Sequence, residues 1–204
     1  MFVRLAVLAV WASSAVGSAP ETGRYLLSSS RFALEVDKTG LMRGKTHLFL
    51  FERLRGELRY DAAHPENSSV ELVIDAASIV CKDTWVSGED LKKIQGHAEQ
   101  EMLAVKRYPE IRFVSSNITP HGDGKYLVEG DLTIRGLARP VTVRLQMKPQ
   151  GSQIAFHGQA EVRMTAYKLK PPSAALGLIG TRDQMRVSFE MAARPAPLSG
   201  SSNR

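Results

Sequence analysis

The chain has 204 residues, 43% hydrophobic and 24% charged, which suits one single-core domain and excludes a disordered polymer. Its formal net charge of +6 permits an anionic partner, while the single cysteine, Cys81, excludes an internal disulfide. Lys and Arg stand singly on strand faces, without zinc-finger spacing, an RNA-binding motif or a basic helix, so nucleic acid is not an expected partner.

Residues 1–19 read as a cleaved signal peptide: Arg4 supplies the positive start, Leu5 to Trp11 the apolar stretch, and Ala15-Val16-Gly17 the small residues at a cut near Gly17 or Ala19. The apolar run falls short of the roughly 20 residues a membrane span needs. The mature protein is therefore expected to be soluble and to work outside the cytoplasm, in the periplasm or secreted.

Strands follow, each with one apolar and one wet face, because successive side chains point to opposite sides. Arg24 to Ser30 is a short one carrying Tyr25 and Leu27. From Ser30 to Lys38, Phe32, Leu34 and Val36 alternate with Arg31, Glu35 and Asp37. In the run THLFLF, Thr46 to Phe51, Phe49 and Phe51 share one face and Leu48 and Leu50 the other. That density suggests a strand buried on both sides or lying under a helix. Leu58 and Tyr60 oppose Arg55, Glu57 and Arg59. After a turn containing Pro65 and Asn67, Val70, Leu72 and Ile74 point inward. Cys81 follows Ile79 and Val80 and reads as a buried small hydrophobe rather than a reactive thiol.

The period then changes. Ser87-Gly88-Glu89-Asp90 has the Ser-x-x-acid form of a helix start. Leu91, Ile94, Ala98, Met102 and Val105 fall on one helical face, and Pro109 stops the helix by Tyr108. Strands resume with Ile111 and Phe113. A hairpin spans Lys125 to Lys148, with Tyr126, Val128, Leu132 and Ile134 on its first arm. Val141, Val143, Leu145 and Met147 lie on the second, and Gly136 to Pro140 form the turn. Ile154, Phe156, Gly158, Ala160 and Val162 share the next inward face. Met185, Val187, Phe189 and Met191 share the last, and residues 194–204 read as a disordered tail. About eight strands and one helix make this an all-β chain, an antiparallel sandwich or an eight-stranded closed barrel.

Catalytic chemistry is not visible. The five His residues show no paired ligand spacing. His97 and Glu101 are one turn apart, a spacing that could take a metal but reads as a solvated helix face. His47 opens the apolar THLFLF run; it reads as a core or rim histidine, with contact to a ligand head group as the alternative. There is no Gly-x-Ser-x-Gly elbow and no Gly-rich loop before a helix. Glu129 and Asp131 fall on the wet face as surface charge. No catalytic residue, metal or cofactor is expected. The inward set of Phe32, Leu34, Val36, Leu58, Leu72, Ile74 and Phe113, with Leu132, Ile134, Val143, Leu145, Phe156, Val187 and Phe189, either fills a core or lines a cavity. Gly158 and Ala160 favour space inside.

GDLTIRG at Gly130 to Gly136, with RYPEIRF at Arg107 to Phe113, resembles the YceI-like family, and the strands from Gly23 to Ala193 follow that family's order. Glu99 to Val105 stands where the family often has a Phe pair with an acid, and Cys81 where Thr is common. The resemblance implies a lipocalin-like β-barrel over residues 20–193 that binds a polyisoprenoid or isoprenoid quinone in the periplasm. It turns the inward set into expected ligand-binding residues, with sequestration rather than catalysis as the mechanism. The competing expectation is a filled barrel acting as an envelope-stress or protein-interaction module. The oligomeric state stays open, a homodimer included. The long connection from Tyr167 to Asp183 reads either as an ordinary connection whose apolar residues pack on the barrel's outside or on the helix, or as a gate at the barrel mouth, with Lys168 as one of its basic flanks and Leu176, Leu178 and Ile179 in an apolar patch touching lipid. The gate reading includes a transient contact with a membrane surface.

Overall fold

The computed structural model describes residues 20–197, so the expected signal segment lies outside the described residues, as does the tail from 198 onward. Among the described residues one antiparallel sheet is formed by β1 (Gly23–Gly40), β2 (Thr46–Phe51), β3 (Leu54–Tyr60), β4 (Ser69–Asp75) and β5 (Ile79–Cys81). After helix α1 (Gly88–His97) it continues with β6 (Glu110–Pro120), β7 (Lys125–Ile134), β8 (Leu137–Gln150), β9 (Gln153–Arg163), β10 (Ser173–Ala174) and β11 (Ile179–Pro195). Both β2 and β3 pair with β1, on its later and earlier halves, and act as one interrupted stave. The staves are therefore β1, β2 with β3, β4, β6, β7, β8, β9 and β11. The barrel closes where β11 meets β1, from Tyr25 opposite Pro195 to Gly40 opposite Ile179. Among the described residues closure leaves no long free edge to recruit another strand.

The two expected strands before Lys38 are a single one. Inward residues switch from odd numbers (Tyr25, Leu27) to even (Phe32, Val36) because the register against β11 slips between Ser29 and Arg31. An extra residue in one strand reverses the facing of everything after it. The same device sits in β6 between Ser115 and Asn117, keeping Ile111, Phe113 and Ile118 all buried.

The hairpin turn is tighter than the expected Gly136 to Pro140. It consists of Arg135 and Gly136, both with positive φ (50° and 74°), the geometry that matches strand twist in a two-residue hairpin. Pro140 lies within β8, opposite Asp131. It is tolerated because β9 joins β8 only from Val143 onward, so no neighbour there needs its missing N–H. The last strand starts at Ile179 rather than Gln184 and runs to Pro195, two residues into the stretch expected to be disordered. THLFLF is fully buried on one face only: His47, Phe49 and Phe51 point in, while Leu48 and Leu50 stay half-buried on the other.

The Ser87 hydroxyl accepts the Asp90 N–H at 3.1 Å, capping α1 as its sequence indicates. The helix is shorter than expected and gives way to a wider turn over Ala98–Met102. Its position comes from side chains reading free backbone groups. Gln95 accepts from the Cys81 N–H (2.7 Å) and donates to the Ile79 carbonyl (2.6 Å), extending the β5 ladder with an amide. Arg135 donates to the Glu101 and Met102 carbonyls at 3.2 and 3.3 Å and lies over the Tyr108 ring, which Arg107 also covers. The RYPEIRF and GDLTIRG segments thus meet and fasten the helical segment to one end of the barrel.

Candidate functional site: an apolar cavity with a polar end

The barrel is hollow. A cavity of about 450 Å³ runs through it, within the ~300–1,000 Å³ range of small-molecule sites. It is roughly three times the ~150 Å³ of an apolar void that stays dry. Every residue of the expected inward set lines it. Phe32, Leu34 and Val36 come from β1, Leu58 from β3, Leu72 and Ile74 from β4, and Phe113 from β6. Leu132 and Ile134 of β7, Val143 and Leu145 of β8, Phe156 of β9, and Val187 and Phe189 of β11 complete it. Leu34, Leu132, Val143 and Val187 remain only half-buried although the sheet turns them inward. The surface they leave free faces the cavity. Lining along β7 extends from Tyr126 to Ile134. At about 3.3 Å per residue and a tilt near 40°, that is roughly 20 Å along the axis.

Gly158 does not create this space. A methyl there would sit 2.4 Å from the Phe189 ring, so the missing side chain is already replaced by Phe189, which stacks on Phe32 at 6.0 Å. Gly130 likewise admits the Phe113 ring. Ala160, by contrast, lines the cavity. Small inward residues therefore serve two ends, and composition does not distinguish them.

The far end of the barrel carries Tyr60, Tyr126, Pro65 and Ser68. Burial pushes both tyrosine hydroxyls above their usual range, and at Tyr60 the neighbouring Tyr126 and Tyr25 add to the shift. The other end is covered by Ile94, Ala98, Met102 and Leu103 of the helical segment and by Met164, Leu169 and Pro172 of the β9–β11 connection. Met164, Tyr167 and Leu169 are buried, so the first half of that connection is a stopper packed into the barrel. Its second half differs from the expected gate. Lys168, Leu176, Leu178 and Ile179 do not line the cavity. Leu176 and Leu178 project into solvent, Lys168 is exposed, and Ile179 is tied into β11 opposite Gly40 and Ala174. The β10–β11 hairpin holds this apolar tip outside the rim.

Polar groups gather at the stoppered end. His47 pairs across the ladder with Val36 and lines the cavity. Its Nδ1 meets Asp83 Oδ2 at 2.5 Å, and the other oxygen of Asp83 accepts the Leu48 N–H at 2.8 Å. The Asp83 side chain is wholly buried. The His47 ring also packs on Trp85 (5.2 Å) and Phe49 (6.1 Å). Lys38 takes the inward position after Phe32, Leu34 and Val36 and lines the same end; burial lowers its pKa, and the nearby Asp83 charge opposes that shift. Cys81 is buried beside this group, its thiol pushed up to about 11 mainly by burial, which keeps it protonated and unreactive. Lys38 could have been found by continuing the alternation of β1 one step. Asp83 has no local signal, because what makes it special is the β2 backbone it reaches.

A closed eight-stranded barrel, hollow and apolar along its length with polar groups at the ends, is a barrel-type binding protein. The chain belongs to the YceI-like family: the model of the YceI-like domain matches residues 27–193. It is 28% identical over 131 residues to a UPF0312 protein of Pseudomonas putida, covering 61% of this chain and 64% of that relative. Identity to a UPF0312 protein of Photorhabdus laumondii is 25% over 146 residues, 69% and 70% of the two chains. The chain thus spans somewhat less than two thirds of the Pseudomonas relatives it matches. Among solved structures, Burkholderia cenocepacia BcnA superposes with a TM-score of 0.64 at 23% identity, over 79% of this chain and 95% of that one. The Campylobacter jejuni YceI protein gives 0.54 at 14% identity, over 96% and 94%. At those identities the likeness is one of fold.

Proposed function

We propose that this protein sequesters or carries a long apolar lipid, of the polyisoprenoid or isoprenoid-quinone class, inside its barrel outside the cytoplasm, without catalysing a reaction. The observation that carries the reading is the continuous apolar cavity of about 450 Å³. Leaving that space unfilled forgoes on the order of 10 kcal/mol at ~24 cal/mol per Å³, comparable with the whole stability of a domain. A barrel serving only as an interaction module gains nothing for that loss. A carrier recovers it when loaded, at about 0.8 kcal/mol per buried methylene less the cost of ordering the chain.

The stoppered end supports exchange at a membrane surface. The β1–β2 turn brings Leu41 beside the β10–β11 tip, with the Leu41 N–H donating to the Leu178 carbonyl at 3.0 Å. Leu41, Leu176 and Leu178 are 76%, 106% and 59% exposed. Exposed Arg43 and Lys45 lie in the β1–β2 turn, Lys170 just before β10 and Arg182 near the start of β11, suiting an anionic surface. The test is mass spectrometry of lipids released from protein purified from its native host without added detergent. A stoichiometric isoprenoid is expected. Repeated recovery of lipid-free protein that also refuses isoprenoid on reconstitution would overturn the reading.

A further inference from the structure

The cavity is apolar along its length, so its few polar lining groups call for a reason. At the stoppered end these are Lys38 from β1, His47 from β2, Lys93 and His97 from α1, and Thr181 from β11. Thr181 is already committed, donating to the Pro172 carbonyl, and Lys93 is mostly exposed and bridged to Glu89 at 2.7 Å. Lys38 and His47 differ. They share the inward phase of β2 and of the paired half of β1, where the other inward residues are Phe32, Leu34, Val36, Phe49 and Phe51. Either position filled by an aliphatic side chain would seal the barrel more cheaply, since a buried charge or ring nitrogen costs free energy unless it is bonded.

The bonding capacity at this end is lopsided. Each oxygen of Asp83 is already engaged, one by the Leu48 N–H and the other by His47 Nδ1. That contact fixes the imidazole and leaves Nε2, the outer ring nitrogen, for another partner. Lys38 brings an ammonium with three donors and no acceptor, and Asp83, the carboxylate whose charge acts on it, already holds those two contacts. Together they offer a donor cation and an oriented imidazole edge at the end of an apolar tube. An oxygen satisfies both: a hydroxyl accepts from Lys38 and donates to His47, and a carbonyl or phosphate oxygen accepts from Lys38.

We propose that Lys38 and His47, the latter oriented by Asp83, form a head-group site that fixes the lipid's direction in the barrel, holding an oxygen-bearing head at the stoppered end and the chain along the cavity. The inference rests on the carrier reading and adds to it the chemistry of the head and its address.

The test compares probes with the same twenty-carbon isoprenoid skeleton: the hydrocarbon phytane, the alcohol geranylgeraniol and its diphosphate. Each competes with a fluorescent apolar dye for the full mature chain. In the native sequence both oxygenated probes are expected to bind about ten- to a hundred-fold more tightly than phytane, the range of a charge-assisted hydrogen bond. Lys38→Met keeps the length and apolar stem and should abolish that preference while leaving phytane unchanged. The ratio of alcohol to diphosphate binding reports which oxygen head the site prefers. His47→Phe should reduce the preference too, but it strands buried Asp83, so its melting temperature is measured alongside and Lys38→Met carries the decision. If Lys38→Met weakens all three probes equally, Lys38 only seals the mouth and the inference fails. Equal binding of phytane and the alcohol by the native chain removes the inference and leaves the carrier reading standing. Binding of none of the three removes both.

Discussion

Replacing Ala160 with Phe should stabilise the empty protein and weaken its grip on a long lipid, two effects that only a hollow barrel combines. Ala160 is inward on β9, level with Val143 and Val187, which also line the cavity. The added ring displaces on the order of 100 Å³ and, at ~24 cal/mol per Å³, recovers up to about 2 kcal/mol if it enters without strain. That is roughly a quarter of a cavity of about 450 Å³. For a chain of this size the gain corresponds to a rise of about 4–8 °C in melting temperature. A lipid that fills the cavity must then withdraw about three or four methylenes, each worth about 0.8 kcal/mol. Affinity should fall roughly a hundred-fold. Thermal unfolding of delipidated protein and titration with an isoprenoid alcohol read the two effects separately. A drop in melting temperature with unchanged affinity would refute the reasoning. It would mean that the space beside Ala160 is already occupied and the lipid lies elsewhere.

Two further outcomes follow from the rim and the seam. Changing Leu41, Leu176 and Leu178 together to Ser should leave stability within about 0.5 kcal/mol, because these side chains already face solvent. The same change should slow lipid transfer from anionic vesicles severalfold, and unchanged transfer rates would reduce the tip to surface cover. At the β1–β11 seam, Arg186 donates to both Asp37 oxygens (2.6 and 3.0 Å) and to Glu35 (3.1 Å). Those bonds hold the Asp37 carboxyl down to about 2 from its ordinary 3.8. A depressed carboxylate stabilises fully above its unfolded pKa and loses that contribution as pH falls through the folded one. The native chain should therefore lose stability between about pH 4 and pH 2, by less than about 1 kcal/mol because the pair is exposed. Asp37→Asn should show a flatter profile in urea midpoints over that window, and parallel profiles would exclude Asp37 as the titrating group.

Much of this protein was legible along the chain because a strand in a closed barrel has one dry side, and a period of two records which side it is. Leu132, Ile134, Val143 and Leu145 could be turned inward from their alternation alone, and Ser87 announced the helix three residues before Asp90 completed its cap. Local pattern failed where one residue changed the phase or the pairing. The slip at Ser30 merges two apparent strands, and Pro140 belongs to β8 only because β9 has not yet joined it. Whether the inward residues touch each other or enclose space is not a local property. Phe189 fills the gap left by Gly158, while Ala160, two residues on in the same strand, borders an open cavity. Closure of β11 onto β1 sets Leu41 beside Leu178, and folding of the β5–α1 connection carries Asp83 under His47. Alternation is set by the geometry of one strand, whereas volume, charge pairing and the address of a polar group depend on segments distant in sequence. Only the tertiary structure brings those together.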